Sequence, residues 1–448
     1  MIDTNHQQSE AKEMRNDFES RTNYFRIALR GLLVALCALF AGSVLASPAS
    51  AEIKWDASFG NDGRSDVGPI GIGSDAFLND GQVLLSGAGI SASRVDPNGL
   101  LDESFGDDGI AKIDYRALGF EGKVTTTSID VGDDGRVTLA GFISERHPIN
   151  GVTVRAFLAR LDSSGAPDKT FGRGGITRIK TTGVTSAENQ AIYALAHQRD
   201  GSVIAAGRDV FRRGLVVRIK ANGKLDRSFG KGGRASVARA DDSNPMTVSS
   251  VQTLPNDQIM IVASQSSLPS VVRLKPNGKT DRTFGGSDGR KPLTVKSDPI
   301  TPDLNVLPNG KSVVLLNERV GSSAWRRPVL ARLTARGQWD RTLGSNGIAR
   351  FSSKRLAKFY GYDRPVPVLS SMIASQSDGS TLVASRFATK PVVFRVKPDG
   401  EPDRSFADAG LFRTTESTGN FIPLVAPSKR ITVAGVEGSN RVLYRIFP

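Results

Sequence analysis

A six-residue phrase recurs seven times along the chain, and this constrains the fold more than any other feature of the sequence. It reads Trp55-Asp56-Ala57-Ser58-Phe59-Gly60, then LDESFG at 101–106, PDKTFG at 167–172 and LDRSFG at 225–230. It continues as TDRTFG at 280–285, WDRTLG at 339–344 and PDRSFA at 402–407. A glycine follows each copy, at 63, 109, 175, 233, 289, 347 and 410. An arginine stands eight residues before six of the aspartates: Arg94, Arg160, Arg218, Arg273, Arg332 and Arg395. A seventh, Arg445, has no such aspartate after it, and Asp56 has no such arginine before it. Units that recur at this spacing bury their apolar faces only against neighbouring copies. The two orphans complement each other, which predicts a ring that closes on itself.

Between the copies lie turn signals followed by apolar runs, such as Asp80-Gly81, Asp134-Gly135, Asp200-Gly201, Asn309-Gly310 and Asp378-Gly379. Asp-Gly and Asn-Gly between β-type runs mark tight hairpins, because glycine adopts positive φ without steric cost. Each unit then holds four short strands, and no segment sustains a helical period. The fold class predicted is all-β: a seven-bladed β-propeller with four antiparallel strands per blade, spanning 52–448. A β-solenoid is the alternative, disfavoured by the complementary ends. The reading places the strand after each phrase innermost in the next blade and the arginine strand outermost. It gives the phenylalanine to the space between blades, the glycine to the crossing between them and the aspartate to a cap on its own turn. It pairs that aspartate with the arginine eight residues earlier.

The pattern L-x-R, about seven residues, D-x-S-F-G-x-x-G, with an Asp-Gly hairpin between copies, resembles the delta-60 repeat family. The resemblance covers nearly all of 52–448. It departs at Leu343 in place of Phe, at Ala407 in place of Gly, and at a weak hairpin around 428–431. It implies a propeller in a bacterial exported protein, and it implies no catalytic residues.

The N-terminus reads as a secretory signal over 1–51. Arg26 and Arg30 precede an uncharged apolar run from Gly31 to Ala46, and Ala49-Ser50-Ala51 supplies small residues for cleavage after Ala51. The run is shorter than the roughly 20 residues a spanning helix needs. No transmembrane span is expected after cleavage, and an uncleaved anchor is the alternative. The single cysteine, Cys37, lies in this run after Leu36, which does not fit a lipoprotein signal. The location expected is extracytoplasmic: extracellular, cell surface or periplasm. An exported chain of this kind, without disulfides, would be held by core packing.

Most catalytic signatures fail. The sequence has no His-Glu-x-x-His, no Gly-x-Ser-x-Gly and no cysteine outside the leader. Near-matches to a phosphate loop at Gly278-Lys279-Thr280 and Gly310-Lys311-Ser312 have Arg273 and Asn305 where the first glycine belongs. No cofactor, metal or catalytic residue is assigned. His197 reads as structural and His147 as a loop residue.

The formal charge is +14, from 59 Lys+Arg against 45 Asp+Glu. The irregular connections concentrate cations beside aromatics: Arg212 and Arg213; Trp325, Arg326 and Arg327; and Lys354, Arg355, Lys358, Tyr360, Tyr362 and Arg364. Basic groups interleaved with flat rings suit anionic ligands. The chain is therefore read as a secreted or cell-surface interaction protein. It would be monomeric and bind an acidic polysaccharide, envelope polymer or acidic protein, with no nucleic acid expected. The alternative is an extracytoplasmic enzyme of lyase, lactonase or glycosidase type, working at the central channel.

Overall fold

Each repeat alternates short β-branched runs with glycine turns, which favours pairing between strands that follow one another in sequence. A computed structural model of the protein describes residues 53–447, except 69–74, 78–80, 148–150, 180–190, 210–212, 236, 238–245, 266–267, 296, 298–301, 321–325, 353, 355, 357–367, 388–389, 409, 415–420 and 426–429. The described strands form seven antiparallel sheets, and six of them take their strands in plain sequence order. The innermost strands are Asp75–Phe77, Lys123–Val131, Ala191–His197, Met246–Thr253, Asp303–Val306, Val368–Ser375 and Ile422–Val425. They contact one another around the centre, Lys123–Val131 meeting Ala191–His197 and Ala191–His197 meeting Met246–Thr253. The molecule is a seven-bladed propeller.

Within a blade the strand order differs from the sequence expectation. The strand after each phrase is not the inner strand of the next blade. Ile110–Lys112 folds back on Ser91–Val95, with Ser93 opposite Ile110, and is the outermost strand of its own blade. The phrase itself is a tight turn: Phe105 N–H donates to Asp102 O at 2.9 Å, and Asp102 N–H to Arg94 O at 2.9 Å. A turn that returns immediately to its own sheet cannot carry the chain across to the channel. The crossing comes afterwards, for example over 113–122 before Lys123–Val131. In the third blade the outer strand shrinks to a bridge between Val217 and Arg234, with Ala235 N–H donating to Val216 O at 3.0 Å.

The seventh blade is composite. Ile422–Val425, Ile431–Glu437 and Asn440–Ile446 receive their outer strand, Arg64–Gly68, from the other end of the propeller sequence. Arg64 lies opposite Tyr444 and Ser65 opposite Leu443. Asp56 N–H donates to Arg445 O at 3.0 Å, and Arg445 N–H to Gly63 O at 2.7 Å. The complementary orphans thus meet, and the ring closes through them.

The core lies between blades. Phe105 of blade one is fully buried among Leu139, Phe157, Ala159 and Leu161 of blade two, and Phe59 packs among Val83, Leu85 and Val95 of blade one. Leu343 holds the same place in blade five with 2% exposure. Burial of this kind stabilises by roughly 25 cal/mol per Å² of apolar surface.

Candidate functional site

The repeated residues form a staple. In six blades the arginine Nε donates to the aspartate Oδ2 at 2.7–2.8 Å: Arg94–Asp102, Arg160–Asp168, Arg218–Asp226, Arg273–Asp281, Arg332–Asp340 and Arg395–Asp403. The other carboxylate oxygen accepts the amide and hydroxyl of the Ser or Thr two residues on, as in Asp281 with Thr283 at 3.1 and 2.8 Å. The guanidinium also reaches the next blade. Arg94 donates to Ser163 O at 2.8 Å, Arg218 to Pro276 O at 2.8 Å and Arg273 to Ala335 O at 2.7 Å. It then lies over the phenylalanine of its own phrase, 4.6 Å from Phe105, 4.4 Å from Phe171 and 4.9 Å from Phe284. Burial opposes ionisation of Asp168, Asp226, Asp281 and Asp403. The hydroxyl and amide two residues on, with the arginine, outweigh it and hold all four carboxyls below their usual range. The carboxylate bonds fold the phrase onto its own blade and the guanidinium-to-carbonyl bonds tie it to the next, so the repeat builds the scaffold.

The glycine of each phrase is pinned by the same junction. Gly106 N–H donates to Ser164 O of the next blade at 2.7 Å, and a Cβ on Gly106 would lie 2.4 Å from Ile110 O. Ala407 replaces this glycine, at φ 47°, only beside the closing blade. There Ile446 bridges Trp55 as Val95 bridges Leu101 in blade one, but the two residues come from opposite ends of the propeller sequence.

The sequence-predicted basic site is partly described. Arg212, Trp325, Arg355, Lys358, Tyr360, Tyr362 and Arg364 lie outside the described residues. Arg213 is tied to Asp209, with Nε at 3.0 Å. Arg326 and Arg327 open the strand Arg326–Leu333, opposite Arg319 and Glu318 respectively. Arg327 Nε bonds Glu318, and Arg350 Nε of the adjacent outer strand lies 3.2 Å from the same carboxylate. Arg327 and Arg350 therefore share one carboxylate, while Arg319 and Arg326, opposite each other in the register, fall on the other face of the same sheet. The sequence reading found Arg326 and Arg327 and missed Arg319, Glu318 and Arg350. Only the pairing register brings these residues together. Lys354 is exposed, and Leu356, two residues on, lines a cavity of about 410 Å³ with Lys397, Asp403 and Ser405 at the other end of the strands.

The inner strands carry few acids. Among described side chains there, the carboxylates are Asp130 and Asp303, three blades apart. Asp303 accepts from Leu304 N–H at 2.8 Å, Ser250 Oγ at 3.2 Å and Ile373 N–H at 3.0 Å, so it straps three consecutive inner strands. Burial pushes its carboxyl above the usual range despite these bonds. Asp130 accepts from His197 N–H and lies 2.9 Å from His197 Nδ1, while His197 Nε2 lies 3.0 Å from Thr138 Oγ1. The order Asp–His–Thr copies a catalytic triad, but Thr138 is fully buried and the imidazole uses both nitrogens to join blades two and three. The structural reading of His197 accords with this. His147, expected in a loop, is the last residue of the strand Val137–His147. Among the described residues no cluster of three or more His, Cys, Asp or Glu could hold a metal, and no helix is long and apolar enough to cross a membrane.

A β-propeller domain of unknown function, DUF5122, matches residues 198–229 and 376–406. Each matched segment runs from the inner hairpin turn to the phrase phenylalanine, Phe229 or Phe406, and so covers the staple. No curated protein matches the sequence. Among solved structures the chain is similar to virginiamycin B lyase from Staphylococcus aureus, at 12% identity and TM-score 0.48 over 86% of this chain and 96% of that one. It is also similar to the polysaccharide lyase Uly1, at 12% identity and TM-score 0.47 over 90% of this chain and 95% of that one. Likenesses this distant carry no functional argument. The domain match supports placing this chain in a β-propeller repeat family.

Proposed function

We propose that this propeller is an exported interaction protein, of the delta-60 repeat type, that binds an acidic ligand at the end of blade five. The observation that carries the reading is the placement of Arg319, Arg326, Arg327 and Arg350 on three neighbouring strands at one end of blade five. Two of the four guanidinium groups, those of Arg327 and Arg350, share the Glu318 carboxylate, on a chain whose formal charge is +14. Guanidinium groups pair with carboxylates and sulfates through two parallel hydrogen bonds, so such a group favours a polyanion. Trp325 adjoins it in sequence and supplies a flat ring for a sugar acid or an acidic peptide. The apparatus repeated in every blade is consumed by the scaffold, which leaves irregular connections for recognition.

The test is binding to acidic polysaccharides and an acidic peptide at low and high salt. The Arg326→Ala/Arg350→Ala variant keeps Arg327 on Glu318. We expect its affinity for the preferred polyanion to fall by about tenfold, or about 1.4 kcal/mol, with an unchanged melting temperature. Binding insensitive to both salt and this variant would exclude the site. A mass-spectrometric N-terminus at Glu52 is the result expected for export, and an intact leader on the processed protein would count against it.

A further inference from the structure

The residue before the repeated aspartate varies around the ring, and in two blades it is a tryptophan. In each blade this residue bridges the end of the arginine strand, as Leu101 bridges Val95 and Trp55 bridges Ile446. In five blades it is Leu101, Pro167, Leu225, Thr280 or Pro402. In blade five it is Trp339, half-buried, with Lys291 Nζ 5.1 Å from its ring centroid. In the closing blade it is Trp55, which is 39% exposed. Trp55 is propped at 73° against Phe412, with ring centroids 5.9 Å apart, and tilted against Tyr444 at 6.1 Å. It lines a cavity of about 500 Å³ with Asp62, Arg64, Arg413, Glu437 and Tyr444. That volume lies within the roughly 300–1,000 Å³ typical of small-molecule sites.

The charges in this cavity are balanced. Arg64 Nη2 lies 3.0 Å from Glu437 Oε2, and Arg413 Nη2 lies 3.5 Å from Asp408 Oδ2. A ligand anion would face Asp62 and Glu437 as well as the arginines, so net charge does not select one. The cavity instead offers an aromatic face ringed by both donors and acceptors. A pyranose ring presents the matching surfaces: an apolar C–H face for the indole, and hydroxyls that both donate and accept. We propose that this cavity is a subsite for a neutral hexopyranose unit of a polysaccharide. The ring would lie on Trp55, with its hydroxyls on Arg64, Arg413 and Glu437. Trp55 and Arg64 come from one end of the propeller sequence and Glu437 and Tyr444 from the other, so the site exists only in the closed ring. A sugar bound there stabilises closure by mass action.

The test uses the full chain with cellohexaose, maltohexaose and chitohexaose, and an oligogalacturonate as the acidic control. Binding is read by calorimetry and tryptophan fluorescence at low and high salt. The result expected is salt-insensitive binding of at least one neutral hexaose, with a raised melting temperature. Trp55→Ala should weaken it by about tenfold or more, and Trp339→Ala should leave it unchanged. Trp55 also packs at the seam, so Arg413→Ala, an exposed position, carries the test independently and should weaken binding several-fold. The proposal is overturned if no neutral hexaose binds, or if binding survives both Trp55→Ala and Arg413→Ala. It is also overturned if only the oligogalacturonate binds and salt abolishes it, which would assign glycan recognition to the arginines of blade five alone.

Discussion

The guanidinium carbon of Arg445 lies 3.9 Å from the centroid of the Phe59 ring, a contact between opposite ends of the propeller sequence. It is the closing member of the staple series, and it departs from the others in one respect. Arg445 Nε bonds Thr432 Oγ1 at 3.1 Å, while Nη1 reaches Pro97 O at 2.5 Å and Nη2 reaches Gly81 O at 3.2 Å. The aspartate of this repeat, Asp56, lies 3.3 Å from Arg430 instead. Burial lowers Arg445 to about 10, against the usual arginine value of 12.5. The seam is therefore joined by backbone pairing, ring stacking and carbonyl contacts rather than by the carboxylate used elsewhere.

Phe59→Ala should then open the ring. The side chain is fully buried between blades seven and one. Its removal should cost about 3–5 kcal/mol in urea denaturation, with loss of the single cooperative transition. Phe59→Leu copies what blade five does naturally with Leu343, and should cost less than about 1.5 kcal/mol. Equal losses in the two variants would contradict a packing role.

Acid should weaken the staples together. Asp102, Asp168, Asp226, Asp281, Asp340 and Asp403 are all held below the ordinary 3.8 in the folded protein. A depressed folded pKa contributes stability that is fully present above the unfolded value and is lost as pH falls through the folded one. Stability should thus drop steeply below about pH 4. Asp281→Asn should cost about 1–3 kcal/mol at neutral pH, and the gap to the parent should narrow as acid protonates Asp281. A pH-independent gap would mean the carboxylate charge is not what the staple uses. Asp303 runs the other way: its raised pKa favours the folded state below the unfolded value, and this is lost as pH rises through the folded one.

Glycine positions separate strain from crowding. Gly119 and Gly278 both have positive φ, at 75° and 80°. A Cβ on Gly119 meets nothing within 4 Å, so Gly119→Ala carries only the left-handed backbone cost of roughly 1–2 kcal/mol. A Cβ on Gly278 would lie 2.8 Å from Gly230 N and from the Phe229 ring, where two blades touch. Gly278→Ala should cost clearly more, read as a larger shift in the denaturation midpoint. Equal shifts would show that the blade junction can give way.

The repeat was legible because seven copies of Asp, Phe and Gly at matching offsets can satisfy one geometry only if each copy repeats it. The ring closure followed from Arg445 and Asp56 lacking partners at the usual offset. Strand order within the blade was not legible. A turn after Phe105 and a crossing after Phe105 share the same glycine-rich composition, and only the pairing of Ser93 with Ile110 decides between them. Glu318, Arg319 and Arg350 escaped for a related reason, since cross-strand register juxtaposes residues with no fixed sequence spacing. Trp55 stood in the repeat as one more apolar residue before an aspartate. Arg64 and Arg413 line its cavity from different blades, a juxtaposition with no sequence spacing of its own.

The Asp130–His197–Thr138 series offers the sharpest contrast between structure and catalysis. A triad needs a nucleophile that a substrate can reach, and Thr138 is fully buried. The alternative is a strap between blades: His197 Nδ1 is 2.9 Å from Asp130, Nε2 is 3.0 Å from Thr138 Oγ1, and its carbonyl accepts from Thr253 Oγ1 at 2.6 Å in blade four. His197→Ala removes the ring and leaves the Thr138 hydroxyl buried without its partner, which should cost about 1–3 kcal/mol. Thr138→Val removes the hydroxyl at nearly constant volume. The double variant should cost less than the two singles together, by about 0.5–3 kcal/mol, because a shared bond can be lost only once. The cycle is measured by urea denaturation, with ester and glycoside hydrolysis assayed alongside. Additive losses would dissolve the strap. Hydrolysis abolished by Thr138→Val at unchanged stability would instead establish a nucleophile that opens to solvent.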